Sequence, residues 1–257
     1  MANTVFENKV IEAKAKDLLA TSLNTRNLMT VDNELAEGEG MTKTINVYTY
    51  NGKVEILADG SKNTTRGSIS YTGKDYKVQR AQQVFDYLDQ DFMKDNNVVD
   101  MSLKGANQLM VNQMTADFTT ECAKATLKHT LTAGLTYDDV VDAISLLNLE
   151  DESQIFIVIP NEWKADIRKD EDYKAARMGE VIYNGQVGTI CGIPVIATKA
   201  LTDEAYVMTK EAVKLFMKKD VEVEQDRDIE AKNNTVVLAT YYICALVDDT
   251  KICKLSA

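Results

Sequence analysis

The sequence predicts an α+β fold in which one long helix shares a core with several β-strands. Apolar side chains recur every three or four residues along residues 101–130, which is the period of an α-helix. Residues 155–159 are continuously apolar and residues 235–247 are apolar on both faces, as in buried strands. Polar and apolar residues alternate along parts of residues 41–78, which indicates strands exposed to solvent.

The composition is that of a folded protein with an acidic surface. Of 257 residues, 45% are hydrophobic, which is enough for a core, and the net charge is −11. Proteins that hold nucleic acid through its phosphates normally carry dense clusters of Lys and Arg. The sequence has no such run, so it argues against this class of protein and suits a subunit that stays soluble at high concentration.

No segment indicates export or a membrane span. The apolar runs are shorter than the roughly 20 residues that cross a bilayer, and the first residues lack the basic and apolar parts of a signal peptide. The four cysteines are scattered without a C-x-x-C pair: Cys122, Cys191, Cys244 and Cys253. We therefore expect reduced, buried thiols in a protein made and used in a cytoplasm.

Residues 5–24 have the apolar spacing of an amphipathic helix, and the polar segment 25–40 separates them from the remaining chain. Two interpretations stay open. The helix packs on its own domain, or it is an arm that packs on a neighbouring subunit.

Residues 41–78 predict a long hairpin. Asn51-Gly52 is a strong turn signal, Val54 and Ile56 continue the alternation beyond it, and Ile69 and Tyr71 belong to the returning strand. The segment has too few apolar residues for a core of its own, and isolated hairpins are marginally stable in water. It is either a loose surface loop or a segment that lies on an adjacent subunit.

The long helix predicted over residues 101–130 would measure on the order of 45 Å. Downstream, Thr136 and Asp139 have the spacing of a capping box, and Asn161 is expected to cap the helix after the apolar strand. Asn184-Gly185 predicts a tight hairpin, and strands are expected over residues 192–196, 221–225 and 235–247.

The sequence predicts no catalytic, cofactor-binding or metal-binding residues, and hence no enzyme. His129 is the single histidine, and we expect it to lie at the end of the long helix, where the helix dipole favours it. Zincin, nucleophile-elbow and phosphate-loop motifs are missing, and the glycine-rich residues 185–192 are flanked by strands. Neighbouring acids are expected to be solvated, and they fall at residues 138–139, 150–152, 170–172 and 248–249.

The order of these elements resembles the Hong Kong 97-type capsid fold of tailed-phage major capsid proteins. Residues 185–195, GQVGTICGIPV, resemble the hairpin of that family that ends in G-x-P-V. Residues 221–228, VEVEQDRD, are similar to its late strand, and the apolar residues 236–243 follow as in the family. The resemblance covers essentially the whole chain.

This resemblance implies a shell-building subunit with five segments. They are an N-terminal arm (1–40), an extended loop (41–78), a peripheral domain with the spine helix (79–132), an axial domain (133–204) and the β region of the peripheral domain (205–257). Subunits of the family form hexamers and pentamers of an icosahedral head around double-stranded DNA. The expected location is the virion, after assembly in the bacterial cytoplasm, with scaffold, portal and decoration proteins as further partners and no cofactor.

The family also raises questions that the residues leave open. The arm is short compared with members that carry a cleaved scaffolding segment, so either a separate scaffold protein or the arm itself would direct assembly. Some members crosslink a loop lysine to a peripheral asparagine, for which the suitable residue types here are Lys53, Lys62, Lys74, Asn233 and Asn234. An encapsulin-like nanocompartment shell, which encloses a cargo enzyme, is the alternative within the same fold.

Overall fold

The computed structural model describes residues 11–15, 28–37, 40–95, 97–132, 134–171 and 189–256. The strands are β1 (Thr30–Asp32), β2 (Thr42–Asn51), β3 (Ser68–Lys77), β4 (Gln79–Leu88), β5 (Leu127–Thr130), β6 (Ile155–Pro160), β7 (Thr189–Ile190), β8 (Ile193–Thr198), β9 (Glu204–Thr209), β10 (Val213–Asp228), β11 (Asn233–Leu246) and β12 (Ile252–Ser256). The helices are α1 (Glu34–Glu37), α2 (Asp89–Lys94), α3 (Val98–Cys122), α4 (Tyr137–Leu147) and α5 (Lys164–Lys169), and residues 11–15 are also helical.

The described strands form three sheets. One has four strands in the order β1-β10-β11-β4, one has six in the order β5-β12-β9-β6-β8-β7, and β2 and β3 form a separate two-stranded hairpin. The predicted α+β class is confirmed. None of the described helices is both long and apolar enough to cross a membrane.

Helix α3 packs on one face of the four-stranded sheet, which is called the inner face below. Leu103, Met114 and Phe118 are each 1% exposed and share a core with Val236 and Leu238 of β11. The hydroxyl of Tyr242 donates to Asp117 Oδ2 at 2.6 Å, which adds a polar link between the sheet and the helix. At 1.5 Å per residue, the 25 residues of α3 span about 37 Å.

Residues 11–15 pack on the same core. Ile11 is 2% exposed, Ala15 is fully buried, and Lys14 forms a 3.0 Å salt bridge with Asp100 at the start of α3. For these residues, the interpretation of a helix on its own domain is confirmed. The remaining residues of the predicted helix over 5–24 lie outside the described residues.

The predicted end of the long helix is wrong, because α3 stops at Cys122 and residues 127–130 form β5. A backbone turn follows the helix, in which the Thr126 N–H donates to Asp249 Oδ1 at 2.9 Å. Strand β5 then pairs in parallel with β12. This pairing between distant residues overrides the helical period, so His129 lies in a strand and not at a helix end.

The six-stranded sheet is centred on β6, all of whose residues are buried, as predicted for this strand. Helix α4 covers it and begins with the predicted capping box. The Asp139 N–H donates to Thr136 Oγ1 at 3.3 Å, and the Thr136 N–H donates to Asp139 Oδ2 at 3.0 Å. The sequence signal and the local structure agree at this helix start.

Of two local predictions in this region, one is wrong and the other is not tested. Asn161 does not cap α5, since the helix begins after Trp163 and the Asn161 N–H donates to Thr198 O of β8 at 3.0 Å. Asn184-Gly185 lies outside the described residues. The described turn joins β7 to β8 through Cys191 (φ 53°) and Gly192 (φ 79°), the pair of left-handed conformations that a type I′ turn requires.

The sheets divide residues 205–257, which were expected to form one β region. Strands β10 and β11 lie in the four-stranded sheet, whereas β9 and β12 lie beside β6 and β5 in the six-stranded sheet. The chain therefore crosses between the two sheets more than once. The five-segment division of the chain stays a prediction.

We expect Thr136→Ala to lower the free energy of unfolding by about 1 kcal/mol, because the helix loses a side-chain cap. Urea unfolding followed by circular dichroism measures this change. Thr202→Ala is the matched control, since the Thr202 side chain is exposed, and it should leave the midpoint unchanged. Equal midpoints for the two variants would contradict the assignment.

Candidate assembly surfaces

The β2–β3 hairpin leaves the body of the molecule. Its strands pair from Thr42–Lys77 at the base to Asn51–Ser68, ten residues each, which corresponds to about 33 Å. From residue 46 to residue 75 every side chain is exposed except that of Glu55, which is half-buried. The distal hairpin, defined as residues 46–75, therefore has no core among the described residues.

The base of the hairpin is fixed to the other face of the four-stranded sheet, called the outer face. Ile45 is 9% exposed and packs in one cluster with Phe216 and Ile243. The hydroxyl of Tyr76 donates to Leu246 O at 3.2 Å, and burial raises the pKa of Tyr76 above its usual value. Lys43 adds a cation–π contact, with Nζ 5.4 Å from the centre of the Phe216 ring. The hairpin thus projects from a fixed base.

One face of the distal hairpin carries an apolar patch. Tyr48 pairs with Tyr71 and Tyr50 with Ile69, and alternation along each strand places all four on the same face. They are 62–70% exposed, and the ring centres of Tyr48 and Tyr71 lie 6.0 Å apart. Burying such side chains contributes roughly 1.5–3 kcal/mol each. Contiguous exposed apolar surface of this kind marks an interaction site.

The loop that joins the two strands differs from its prediction. Asn51-Gly52 does not form a tight turn and residues 54–56 do not form a strand, because residues 52–67 make a long loop without regular secondary structure. Val54 is 90% exposed and Ile56 is fully exposed. In the described chain no neighbouring strand pairs with this segment, so its apolar alternation has nothing to pack on.

The Glu55 carboxylate organises this loop. It accepts hydrogen bonds from the Thr64 N–H at 2.9 Å, the Thr64 hydroxyl at 2.7 Å and the Thr65 N–H at 2.9 Å. Hydrogen bonds from Thr65 and Thr64 lower the pKa of Glu55 from 4.5 to about 2. The loop therefore holds a defined shape that presents Val54 and Ile56 to solvent.

Three carboxylates from the acidic clusters, those of Asp139, Asp151 and Asp170, accept hydrogen bonds from backbone N–H groups. Asp139 belongs to the capping box and lies 2.9 Å from His129 Nε2 through its other oxygen; burial opposes ionisation, but the bonds from Thr136 and His129 lower the pKa of Asp139. Asp151 accepts from Ser153 N–H and Asp170 from Tyr137 N–H, each at 2.9 Å. Among the described residues, no three His, Cys, Asp or Glu side chains are placed to hold a metal ion.

Three of the cysteines fit their prediction. Cys122, Cys244 and Cys253 are buried free thiols, and burial raises the pKa of Cys253 to about 11 and those of the other two further. Cys191 is exposed, contrary to the prediction, because it occupies the type I′ turn at the edge of the sheet. Thiols with raised pKa values are poor nucleophiles at neutral pH.

Asn234, one of the residues suited to a covalent link, is held within its own chain. Its Nδ2 donates to Asp89 Oδ1 at 2.8 Å, and Arg227 Nη2 donates to Asp89 Oδ2 at 2.7 Å. The bond from Asn234 and the Arg227 charge lower the pKa of Asp89. This cluster ties α2 to the end of the β10–β11 pair.

The pKa of Glu55 leads to a direct test of the loop. Because this pKa is lowered, the carboxylate stabilises the loop above pH 4.5, and the stabilisation is lost as the pH falls towards about 2. We expect the amide resonances of Thr64 and Thr65 to titrate with a midpoint near 2, and Glu55→Gln to abolish this titration. A midpoint near 4.5 would show that the carboxylate is free in solution.

The sequence and the fold are similar to those of known capsid proteins. No family model matches the chain. The major capsid protein of Staphylococcus phage phiMR11 is 23% identical over 237 residues, which cover 88% of this chain and 84% of that protein. Among solved structures, the capsid of cyanophage P-SCSP1u matches with a TM-score of 0.71 at 13% identity, covering 90% of this chain and 86% of the other.

A virus-like particle from Pyrococcus furiosus matches with a TM-score of 0.69 at 11% identity, covering 98% of this chain and the whole of the other. Both structures share the spatial arrangement of the described elements with this chain. The chain has the Hong Kong 97-type capsid fold of tailed-phage major capsid proteins.

Proposed function

We propose that this protein is the major capsid protein of a tailed phage, a structural subunit that assembles into hexamers and pentamers of an icosahedral head around double-stranded DNA. The observation that carries the proposal is the distal hairpin: an apolar face on a ribbon without a core, attached to a capsid fold. Such a face is costly for a monomer and useful for a subunit, because burial against a neighbour removes it from water.

The remaining chemistry fits a container. Asp139, Asp151 and Asp170 of the acidic clusters accept hydrogen bonds from backbone N–H groups, and the buried thiols have raised pKa values, so these groups stabilise the fold. A net charge of −11 repels DNA phosphates and suits a wall that encloses DNA without gripping it. The proposal therefore assigns no catalytic role to the chain.

The five segments keep the roles that the resemblance implies. The distal hairpin would contact a neighbouring subunit, the peripheral and axial regions would form the ring, and the virion would be the final location after assembly in the host cytoplasm. Scaffold, portal and decoration proteins are the further partners of the proposal. Covalent crosslinking is not part of it, so mature shells should give a single monomer band on denaturing gels.

A nanocompartment shell that encloses a cargo enzyme is the second candidate. The match to the virus-like particle, which spans both chains almost completely, is the observation in its favour. The match to the phage capsid protein in sequence favours the first candidate. The contents of purified particles separate the two, since a phage head holds DNA and a nanocompartment holds a protein cargo.

The first test is electron microscopy of the protein expressed alone and with a scaffold protein, together with its mass in solution. We expect closed, uniform particles. Tyr48→Ser/Tyr50→Ser/Ile69→Ser/Tyr71→Ser should reduce the particle yield at least tenfold, because the apolar face can no longer drive association, while the urea unfolding midpoint of the subunit stays within error.

The matched control changes the opposite face of the same ribbon, as Val47→Ser/Thr72→Ala, and should assemble normally. A wild-type protein that remains monomeric at high concentration and with scaffold present would overturn the proposed function. Normal assembly of the fourfold variant would leave a shell protein whose hairpin face is not an interface.

A further inference from the structure

Strand β4 lies at one edge of the four-stranded sheet. It pairs with β11 on one side from Gln79 to Leu88 without a shift in register, and no described strand pairs with its other side, called the open edge. Exposed edges are commonly protected against further pairing by lysine, proline or a bulge. Strand β4 contains neither lysine nor proline, so its open edge is a template for another strand.

The even-numbered residues of β4 direct their backbone groups towards the open edge. In an antiparallel pair every second residue bonds to the neighbouring strand, and the residues between face away from it. The Asp89 N–H donates to Lys232 O at 3.1 Å at the end of the β4–β11 pair, so the odd-numbered residues bond to β11. On the opposite side, the Val78 N–H donates to Met41 O at 2.8 Å just before β4 begins. The open edge therefore extends over residues 80–86.

Two opposite charges lie symmetrically about the centre of this edge. Arg80 and Asp86 are three residues before and after Gln83 and are exposed on the same face, and neither forms an ion pair or side-chain hydrogen bond with the described residues. The Gln83 side chain donates to Val84 O at 3.2 Å, which is a local bond and not a strand pairing. An antiparallel strand of the same sequence centred on Gln83 would bring each arginine opposite an aspartate.

The backbone accepts the same register. It places residue 80 opposite residue 86 and residue 82 opposite residue 84, all of which face the open edge, so four facing pairs exchange two backbone hydrogen bonds each. Centres at residue 82 or 84 also match the backbone, but they put Arg80 opposite Val84 or Leu88. Charge therefore selects the register centred on Gln83.

The inner face is complementary in size. In this register the small Ala81 comes opposite Phe85 of the second copy, on the side of the sheet that α3 covers. Between β4 and α3 the structure contains a cleft of about 430 Å³, lined beside Ala81 by Leu109 and Met110. This cleft offers space for the aromatic ring of the second copy.

We propose that β4 pairs antiparallel with β4 of a second copy of this chain about a twofold axis through Gln83, which joins two four-stranded sheets into one continuous sheet. Such a contact uses the same edge of both copies, so each favourable pair occurs twice. Opposite charges that face each other across two strands stabilise the pairing, and like charges destabilise it. The inference goes beyond the proposed function, because this contact is made by the sheet edge and not by the distal hairpin.

A disulfide on the twofold axis tests the register. Facing residues that are not hydrogen-bonded have Cα atoms about 4.5 Å apart, which lies within the range of a disulfide. The variant Gln83→Cys/Cys191→Ser, which lacks the exposed native thiol, should give mostly covalent dimer on a non-reducing denaturing gel after oxidation with copper phenanthroline. The matched control Ala81→Cys/Cys191→Ser should give at least tenfold less, because its two cysteines lie four residues out of register.

Charge reversal in the Gln83→Cys/Cys191→Ser chain tests the pairing itself. Arg80→Glu or Asp86→Arg alone should lower the yield of covalent dimer at least tenfold, because like charges then face each other. The two substitutions together should restore the yield to within about threefold, since opposite charges again meet. Lys104→Glu makes the same charge change at an exposed position of α3 and should leave the yield unchanged. Equal urea unfolding midpoints verify that all variants fold.

The outcomes separate this inference from the proposed function. Equal dimer yields from the Gln83→Cys and Ala81→Cys chains, or a yield that charge reversal leaves unchanged, would overturn the strand pairing. Normal particles that lack the Gln83→Cys crosslink would overturn the pairing and leave the shell function standing. A crosslinked dimer from a chain that never forms particles would support the pairing and overturn the proposed function.

Discussion

The packing of helix α3 against the inner face of the four-stranded sheet is the contact on which the rest of the structure depends. It buries Leu103, Met114 and Phe118 against β11 and gathers residues 11–15 onto the same core. Because this contact uses the inner face, the hairpin and α1 pack on the outer face alone. The long helix thus decides which surface of the sheet remains for other subunits.

Unlike helix α3, the hairpin is buried only at its base and exposed over the remaining length. Its base is fixed by Ile45 and Tyr76. The distal part exposes tyrosine, isoleucine and valine side chains, which do not stabilise the monomer because they are not buried. A two-stranded ribbon has marginal stability in water, and the Glu55 hydrogen bonds that shape its loop add local order but no core. In the proposed assembly, a neighbouring subunit that buries the ribbon would also stabilise it.

Acidic side chains lie both at the starts of helices and turns and along strand β10. Acids at helix starts and turns, such as Asp139 and Asp151, satisfy backbone N–H groups and have lowered pKa values. Of the acids that alternate along β10, Asp226 and Asp228 likewise accept hydrogen bonds from backbone N–H groups, and Glu222 forms a salt bridge with Lys219. Residues 42–77 contain six basic and three acidic side chains.

The sequence by itself determined the elements whose signals are local. The capping box of α4, the buried strand β6 and the alternation of β10 could be predicted because each depends on neighbouring residues and on burial of one face. Even the apolar face of the hairpin follows from the positions of Tyr48, Tyr50, Ile69 and Tyr71, once their register is known. The order of these elements was sufficient to indicate the capsid fold.

Only the tertiary structure determined where pairing between distant residues overrides a local sequence pattern. The helical period continues past Cys122, but pairing of β5 with β12 and the bond from Thr126 to Asp249 end the helix there. Asn51-Gly52 and Val54–Ile56 resemble a turn and a strand, yet Asn51 ends β2 opposite Ser68 and no described strand pairs with Val54–Ile56. Only the register between strands brings Asp86 of β4 level with Asp226 of β10, across Thr235 of β11. Register between distant strands is a property of the folded chain, because loop lengths and packing set it and no local pattern encodes it.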